Sequence, residues 1–169
     1  MSLPPDLASV YDEHLDYVWR LLSRFGVPTR DREDVAHDLF VVVHRKLADF
    51  DPERPIRPWL AGIAFRVAAA YKRRKMAGEI PSELPELPRH DRVEARQQAA
   101  QLLERLPFER RAVFVLAELE GFTAPEISEQ LAVPLNTVYS RLRLARRDLR
   151  ELARTIDEEA RGVRQLEGA

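Results

Sequence analysis

The stretch with the clearest chemical potential is a run of arginines near the C-terminal end of the 169-residue chain. Residues 135–154 carry six arginines against Asp148 and Glu151, a local charge of six minus two, or +4, while the whole chain carries −1. In a helix, one face would be apolar: Val138, Leu142, Ala145, Leu149 and Leu152. The remaining surface would then carry Asn136, Thr137, Ser140, Arg141, Arg143 and Arg147. Amides, hydroxyls and guanidiniums bind base edges and phosphates, so we expect this face to bind DNA.

The residues before this helix have the lengths of a helix-turn-helix. A short helix over 124–131 and the turn "AVP" precede a helix that begins at about 135. Thr123 and Glu126 have the spacing of a capping box, in which each side chain bonds the other residue's backbone N–H. An arginine-rich helix with interspersed acids is often only a solvated face. The capping box, the turn and the apolar spacing together favour a DNA-binding unit.

Apolar residues at three- and four-residue spacing predict helices along most of the remaining chain. The predicted helices cover about 6–25, about 32–48, Pro58 to the basic cluster "YKRRK", about 93–106 and 108–121. Gly26 is expected to end the first helix in a left-handed conformation, and Asp31 to cap the second. With neither strand-like alternation nor an internal repeat, the sequence predicts an all-α fold.

Residues 76–92, "MAGEIPSELPELPRHDR", interrupt the helical pattern with three prolines and a glycine, which predicts an extended, acidic linker. The chain then divides into a helical domain (1–75), the linker (76–92), a helix-turn-helix domain (93–152) and a C-terminal tail (153–169). The sequence has no long apolar segment, no signal-peptide pattern and no cysteine. We therefore expect a cytoplasmic protein that is not inserted in a membrane.

The residues give little support to an enzyme. Asp34, His37 and Asp38 could share one helix face, but a di-metal site in a helical bundle needs a second such set, which is missing. The six glycines do not cluster into a phosphate-binding loop. We predict no catalytic residue, no cofactor and no metal. A dimeric helix-turn-helix regulator and a structural adaptor of helical domains remain alternatives.

Two long stretches resemble one protein family. "LPFERRAVFVLAELEGFTAPEISEQLAVPLNTVYSRLRLARRDL" resembles the region-four domain of extracytoplasmic-function (ECF) sigma factors, the bacterial initiation subunits that bring RNA polymerase to promoters. Residues 34–75 resemble their region-two domain, and the resemblance covers about residues 7–152. Within it, Ala132 replaces the usual turn glycine, a change that is tolerated if the backbone there is not strictly left-handed. Asn136 and Tyr139 also depart from the family pattern, as does the pair Phe65 and Arg66.

The resemblance implies partners and residue roles. It implies that the second helix binds the clamp helices of the polymerase largest subunit through Asp34, Asp38, Leu39, Phe40 and Arg45, unless this helix is simply buried on most sides. It implies that the loop "DFDPERPIRP" and the next helix capture the opened minus-ten strand of promoter DNA through Arg57, Phe65, Arg66, Lys72, Arg73 and Arg74. The helix-turn-helix would read the minus-thirty-five element. The acidic linker, with Glu79, Glu83, Glu86 and Asp91, would enter a basic polymerase channel, and an anti-sigma factor would regulate the protein.

Overall fold

The computed structural model describes residues 5–80 and 94–167, and within these ranges the chain forms helices and turns without a strand. The N-terminal unit contains α1 (Leu7–Arg24), α2 (Thr29–Lys46), a 3₁₀ turn (Leu47–Asp49) and α3 (Ile56–Met76). The C-terminal unit contains α4 (Glu94–Glu104), α5 (Phe108–Phe114) with a π-helical continuation (Val115–Leu119), α6 (Ala124–Leu131) and α7 (Leu135–Glu167). The all-α prediction is confirmed.

Local signals explain where α1 begins and ends. The Asp6 carboxylate accepts a hydrogen bond from the Ser9 backbone N–H at 3.0 Å, which satisfies one of the free donors of the first turn. After the last turn, Gly26 has a φ of +94°, which only glycine adopts easily. The predicted left-handed end of the first helix is therefore confirmed.

The predicted cap of the second helix is wrong. Helix α2 begins at Thr29 after Pro28, so Asp31 lies inside its first turn. The Asp31 carboxylate instead accepts a hydrogen bond from the Tyr71 hydroxyl on α3 at 2.6 Å. Burial, followed by this bond, raises the pKa of Tyr71. Asp31 therefore links α2 to α3. The sequence around Asp31 did not predict this bond because Tyr71 lies 40 positions away.

The helix-turn-helix region folds as predicted, with one difference at its turn. Both bonds of the capping box form: the Thr123 N–H donates to Glu126 at 2.7 Å, and the Glu126 N–H donates to the Thr123 hydroxyl at 3.4 Å. Ala132, however, adopts φ 53° and ψ 45°, the left-handed conformation that its side chain disfavours. Alanine was expected to replace the turn glycine without cost only if the backbone there were not left-handed. Because the backbone is left-handed, this condition is not met.

Two further elements differ from the predicted helices. The segment Val115–Leu119 is π-helical, with the Glu120 N–H bonded to the Val115 carbonyl at 3.0 Å, so the predicted helix over 108–121 is not uniform. Helix α7 continues to Glu167 and includes most of the segment assigned to the tail. Of the linker acids, Glu79 lies in the turn after α3, while Glu83, Glu86 and Asp91 lie outside the described residues.

The two units pack against each other rather than lying apart. One continuous set of buried apolar side chains includes Leu21, Leu39 and Ile63 from the first unit and Leu116 and Ile127 from the second. Helix α3 packs against α6, so the helix-turn-helix rests directly on the N-terminal unit. Within the described ranges, none of the helices has the length and apolar character required to cross a membrane.

Candidate nucleic-acid interface

The first turns of α7 expose the predicted DNA-binding face. Val138 and Ala145 are fully buried against the rest of the C-terminal unit. Asn136, Ser140 and Arg143 are exposed on the other side, and Thr137 and Arg141 lie half-buried beside them. The amphipathic prediction for this helix is thereby confirmed, and the polar face is accessible near the helix N-terminus, where recognition helices contact bases.

Tyr139 extends this polar face with an aromatic ring. Its side chain is 53% exposed and lies between Asn136 and Arg143 along the helix. The turn before α7 is held by Ser128, whose hydroxyl donates to the Val133 carbonyl at 2.6 Å. This bond ties the turn to α6, while α7 itself packs against both α5 and α6.

Other charged residues of α7 form ion pairs with α5 and with its π-helical continuation. Arg110 on α5 donates to Asp148 at 2.6 Å, and Arg146 pairs with Glu118. The Arg110 guanidinium holds the pKa of Asp148 below its usual value. These contacts separate the arginines of α7 into two groups, because Arg146 serves the fold while Arg143 has no ion-pair partner among the described residues.

Arg147 lies between these two groups. It is half-exposed, but its guanidinium donates to Asp148 at 2.9 Å and lies 3.9 Å from Glu151. A DNA phosphate would therefore compete with two carboxylates for this side chain. Exposed pairs of this kind contribute at most about 1 kcal/mol, so the competition is weak.

The C-terminal end of α3 presents the predicted basic cluster to solvent. Lys72, Arg73 and Arg74 are all exposed. The Lys72 ammonium lies 5.2 Å from the ring centroid of Phe108 in the other unit, and Arg74 lies 3.8 Å from Asp38 on α2. This end of α3 is available to an anionic partner while already touching both neighbours.

Phe65 and Arg66, in the middle of α3, are instead engaged by the C-terminal unit. The Phe65 ring stacks on Phe108 with centroids 5.3 Å apart. Arg66 donates to the Gln130 carbonyl of α6 at 3.0 Å, and removal from water lowers its pKa. Phe65 is half-buried in this arrangement, whereas Arg66 remains exposed and uses one N–H group for this bond. The sequence could not show this because Phe108 and Gln130 lie more than 40 positions away.

Arg57 belongs to the segment predicted as the strand-capturing loop, but it lies in the first turn of α3. Its guanidinium lies 5.2 Å from the ring centroid of Tyr17, and its carbonyl accepts a 3.5 Å bond from the Tyr17 hydroxyl. Residues 49–59, which run from the 3₁₀ turn into the first turn of α3, enclose a cleft of about 250 Å³ together with α6. Glu126, Glu129 and Gln130 of α6 form the wall opposite Trp59.

The residues predicted to bind polymerase fall into two classes on α2. Asp34, Asp38 and Arg45 are exposed. Leu39 is fully buried, and Phe40 is almost so because Tyr11 covers it with ring centroids 4.7 Å apart. Leu39 therefore presents no surface to a partner, and the wide apolar arc of α2 is explained by burial in a three-helix unit.

Sequence reasoning missed the residues that join the two units. Gly62 lies inside α3, and a Cβ built there would lie 2.9 Å from the Gln130 carbonyl oxygen. A glycine inside a predicted helix is itself a signal, because it costs about 1 kcal/mol relative to alanine and often marks close packing. Across the described residues, no group of three or more His, Asp or Glu side chains is arranged to hold a metal ion.

Comparison with known proteins places both units in one family. The family model described as Sigma-70 region 2 matches residues 10–77, and the one described as Sigma-70, region 4 matches residues 96–149. The sigma factor CnrH of Cupriavidus metallidurans is 31% identical over 147 residues, which cover 76% of each protein. The ECF sigma factor SigE of Mycolicibacterium smegmatis is 31% identical over 173 residues. The alignment covers 94% of this chain but only 66% of SigE.

Solved structures agree with the fold. CnrH in complex with the cytosolic domain of CnrY superposes with a TM-score of 0.65 at 27% identity, over 88% of each chain. The sigma factor RpoE of Bartonella quintana, solved with the anti-sigma factor NepR, has a TM-score of 0.69 at 18% identity and supports the fold alone. RpoE matches over 87% of this chain and 96% of its own. Two matched regions in the expected order and a relative aligned over three quarters of its length establish that the chain belongs to the ECF sigma factors of the sigma-70 family, which are transcription initiation factors.

Proposed function

We propose that the exposed N-terminal face of α7 reads the minus-thirty-five element of a promoter for RNA polymerase. The observation that carries this proposal is the sharp division of α7, with Val138 buried while Asn136, Ser140 and Arg143 are exposed two residues or more away. Arginine bonds guanine bidentately and an amide bonds adenine, so such a face can select bases. Tyr139 adds an apolar contact that can select thymine methyl groups.

The N-terminal unit supplies the polymerase and minus-ten contacts in this proposal. Asp34, Asp38 and Arg45 form the exposed charged face of α2 that docks on the polymerase clamp helices. Arg57, Lys72, Arg73 and Arg74 line α3 and attract the strand that opening of the duplex releases, because single strands bind along cationic grooves. Arg66 is exposed and can join them, whereas Phe65 joins them only after its ring leaves Phe108.

Regulation by a protein partner also fits the family. CnrH was solved bound to the cytosolic domain of CnrY. We extend this to the present chain and propose that it acts in the cytoplasm, where an anti-sigma factor holds it inactive. The partner would compete with polymerase for the exposed α2 charges, because a factor that is already bound there cannot dock.

Reconstituted transcription tests this proposal. Core polymerase alone is compared with core polymerase plus this chain, each on a pool of genomic fragments. Fragments retained by the complex are sequenced, and run-off transcription is measured on them. The proposal expects transcripts that depend on the added chain and two dissimilar conserved elements in the retained fragments. A palindrome bound by the chain without polymerase would instead identify an autonomous regulator.

Matched charge reversals test the polymerase surface. Asp34→Arg and Asp38→Arg should weaken binding to core polymerase at least tenfold, since they place like charges against a complementary surface. Asp12→Arg on α1 is the control, because it reverses an equally exposed acid on another helix. Equal binding by all three variants would remove α2 from the interface.

A further inference from the structure

The carboxylate of Asp148 on α7 joins two arginines. One oxygen, Oδ2, accepts a hydrogen bond from Arg110 of α5 at 2.6 Å. The other, Oδ1, accepts from Nη2 and Nε of Arg147 at 2.9 and 3.3 Å. The Asp148 side chain is 17% exposed, whereas that of Arg147 is 51% exposed. These three side chains, here called the Asp148 bridge, therefore run from the contact between α5 and α7 out to solvent.

The Asp148 bridge occupies only one edge of the Arg147 guanidinium. Nε and Nη2 both donate to the same carboxylate oxygen, so they present one side of the planar group to Asp148. Further N–H groups remain on Nη1 and on the far side of Nη2. Among the described residues, no acceptor bonds Nη1, and Glu151 approaches Nε without a hydrogen bond, at 3.9 Å. The free edge is therefore a fork that can bind two oxygens of a phosphate.

Arg147 lies at the far end of the exposed polar stripe of α7. It follows Asn136, Ser140 and Arg143 at spacings of four, three and four residues, which place these side chains on one side of the helix. The distance from Asn136 to Arg147 along the helix axis is about 16 Å. A recognition helix contacts bases with its N-terminal residues, and phosphate contacts fix its position on the duplex. The place of Arg147 therefore suits a backbone phosphate rather than a base edge.

Holding a long side chain in place changes what DNA binding costs. Ordering one such side chain on binding lowers affinity about two- to tenfold. Asp148 removes part of the freedom of Arg147 in the free protein, and Arg110 in turn fixes Asp148 by bonding its second oxygen.

The charge of the Asp148 bridge also suits a phosphate. It contains two guanidiniums and one carboxylate, which leaves a net positive charge. A phosphate on the free edge of Arg147 leaves both of its bonds to Asp148 in place. The weak competition between Asp148 and a phosphate is therefore one of charge and not of hydrogen-bond donors.

We propose that Arg110 and Asp148 are positioning residues for DNA binding, which hold Arg147 with its free edge toward a backbone phosphate beside the minus-thirty-five element. Arg110 and Asp148 do not themselves contact DNA. The inference rests on the proposed function, because it assigns the exposed face of α7 to promoter DNA. The contact between α5 and α7 then orients a DNA-binding side chain in addition to packing two helices together.

The sign of one substitution separates positioning from simple electrostatics. Asp148→Ala removes a negative charge near DNA, and charge alone would make promoter binding tighter. If Asp148 positions Arg147, the same change weakens binding by about threefold or more, because the guanidinium must then be ordered on binding. Glu151→Ala is the matched control, since it removes an acid near the same guanidinium that does not hold it by a hydrogen bond, and it should leave binding unchanged or tighter. Unchanged or tighter binding by Asp148→Ala would overturn the proposal.

A double-mutant cycle shows whether Arg110 acts through Arg147. Arg147→Gln should weaken binding to every DNA sequence alike and reduce the slope of log affinity against log salt concentration by about one. Arg110→Gln should weaken binding about threefold in the unchanged protein but not in Arg147→Gln, where its target is missing. Glu118→Gln is the control for packing, because it breaks the ion pair with Arg146 between the same elements, and it should not weaken binding. Equal weakening by Arg110→Gln in both backgrounds, or an unchanged salt slope for Arg147→Gln, contradicts the proposal.

These measurements use the full chain bound to core polymerase and a fluorescently labelled promoter fragment, with binding followed by anisotropy. Circular dichroism checks that each variant keeps its helix content. If the unchanged chain gives no binding that depends on promoter sequence, the proposed function fails and this inference fails with it. If the unchanged chain binds promoters specifically while the effects of Arg110→Gln and Arg147→Gln simply add, this inference alone fails.

Discussion

The two basic helices of this sigma factor, α3 and α7, were both predicted to bind DNA, yet the structure treats them differently. Helix α7 turns Asn136, Ser140 and Arg143 to solvent. Helix α3 uses Phe65 and Arg66 to hold the other unit. The residue types are similar, so composition does not explain the difference. The difference lies in the middle of α3, where the other unit contacts the helix, because Lys72, Arg73 and Arg74 at its end are exposed.

The largest effect is expected at the open helix. Arg143→Ala should weaken binding of the minus-thirty-five element by about 1–3 kcal/mol, about fivefold to more than a hundredfold, if the guanidinium bonds a base edge. Binding of the polymerase complex to promoter variants measures this. Arg154→Ala is the control, because it removes an exposed arginine three turns farther along α7. Equal weakening on every DNA sequence would show that Arg143 contacts phosphate instead.

A substitution in the middle of α3 should change the stability of the fold rather than the DNA sequence preference. Phe65→Ala removes the stack on Phe108 and the edge contact with Phe25, and should lower the free energy of unfolding by about 1–2 kcal/mol. Urea denaturation measures the change, and Phe65→Leu should retain much of the packing. If stability is unaffected while minus-ten binding is lost, Phe65 is free for DNA and the contrast between the helices disappears.

The turn that orients the open helix offers a gain in stability. Ala132→Gly should raise the free energy of unfolding by about 0.5–1 kcal/mol, because Ala132 has a left-handed backbone that glycine adopts without steric cost. The melting temperature would rise accordingly. Leu131→Gly is the contrasting control, since that residue is helical and buried. No change at Ala132 would mean that this turn relaxes elsewhere.

The smallest effect is a pH dependence at the capping box. The Thr123 backbone N–H and then its hydroxyl lower the pKa of Glu126 below its ordinary value of 4.5. A carboxylate with a lowered pKa stabilises the fold above the unfolded value and loses this contribution as pH falls through the folded value. Glu126→Gln keeps an acceptor but does not titrate. The difference in melting temperature between the two proteins should therefore shrink as pH is lowered from 7 toward 3. A constant difference would show that the charge is unimportant.

Local chemistry made much of the fold predictable. Thr123 and Glu126 form the capping box because partners three residues apart meet in a first helical turn. The apolar spacing of α7 identified its buried and exposed faces for the same reason. Asp31 and Leu39 were misassigned because their roles depend on contacts with other helices. Asp31 accepts a hydrogen bond from Tyr71, and Leu39 is buried in the core.

The sequence by itself determined the helices, the helix-turn-helix and the family, because each depends on residues within a few turns or on long motifs in order. The tertiary structure alone decided which charges are free. Arg66 reaches a carbonyl 64 positions away, and Arg111 one 87 positions away. No periodicity encodes such meetings. The first occurs where α3 approaches α6 closely at Gly62, and the second where α5 meets the end of α1.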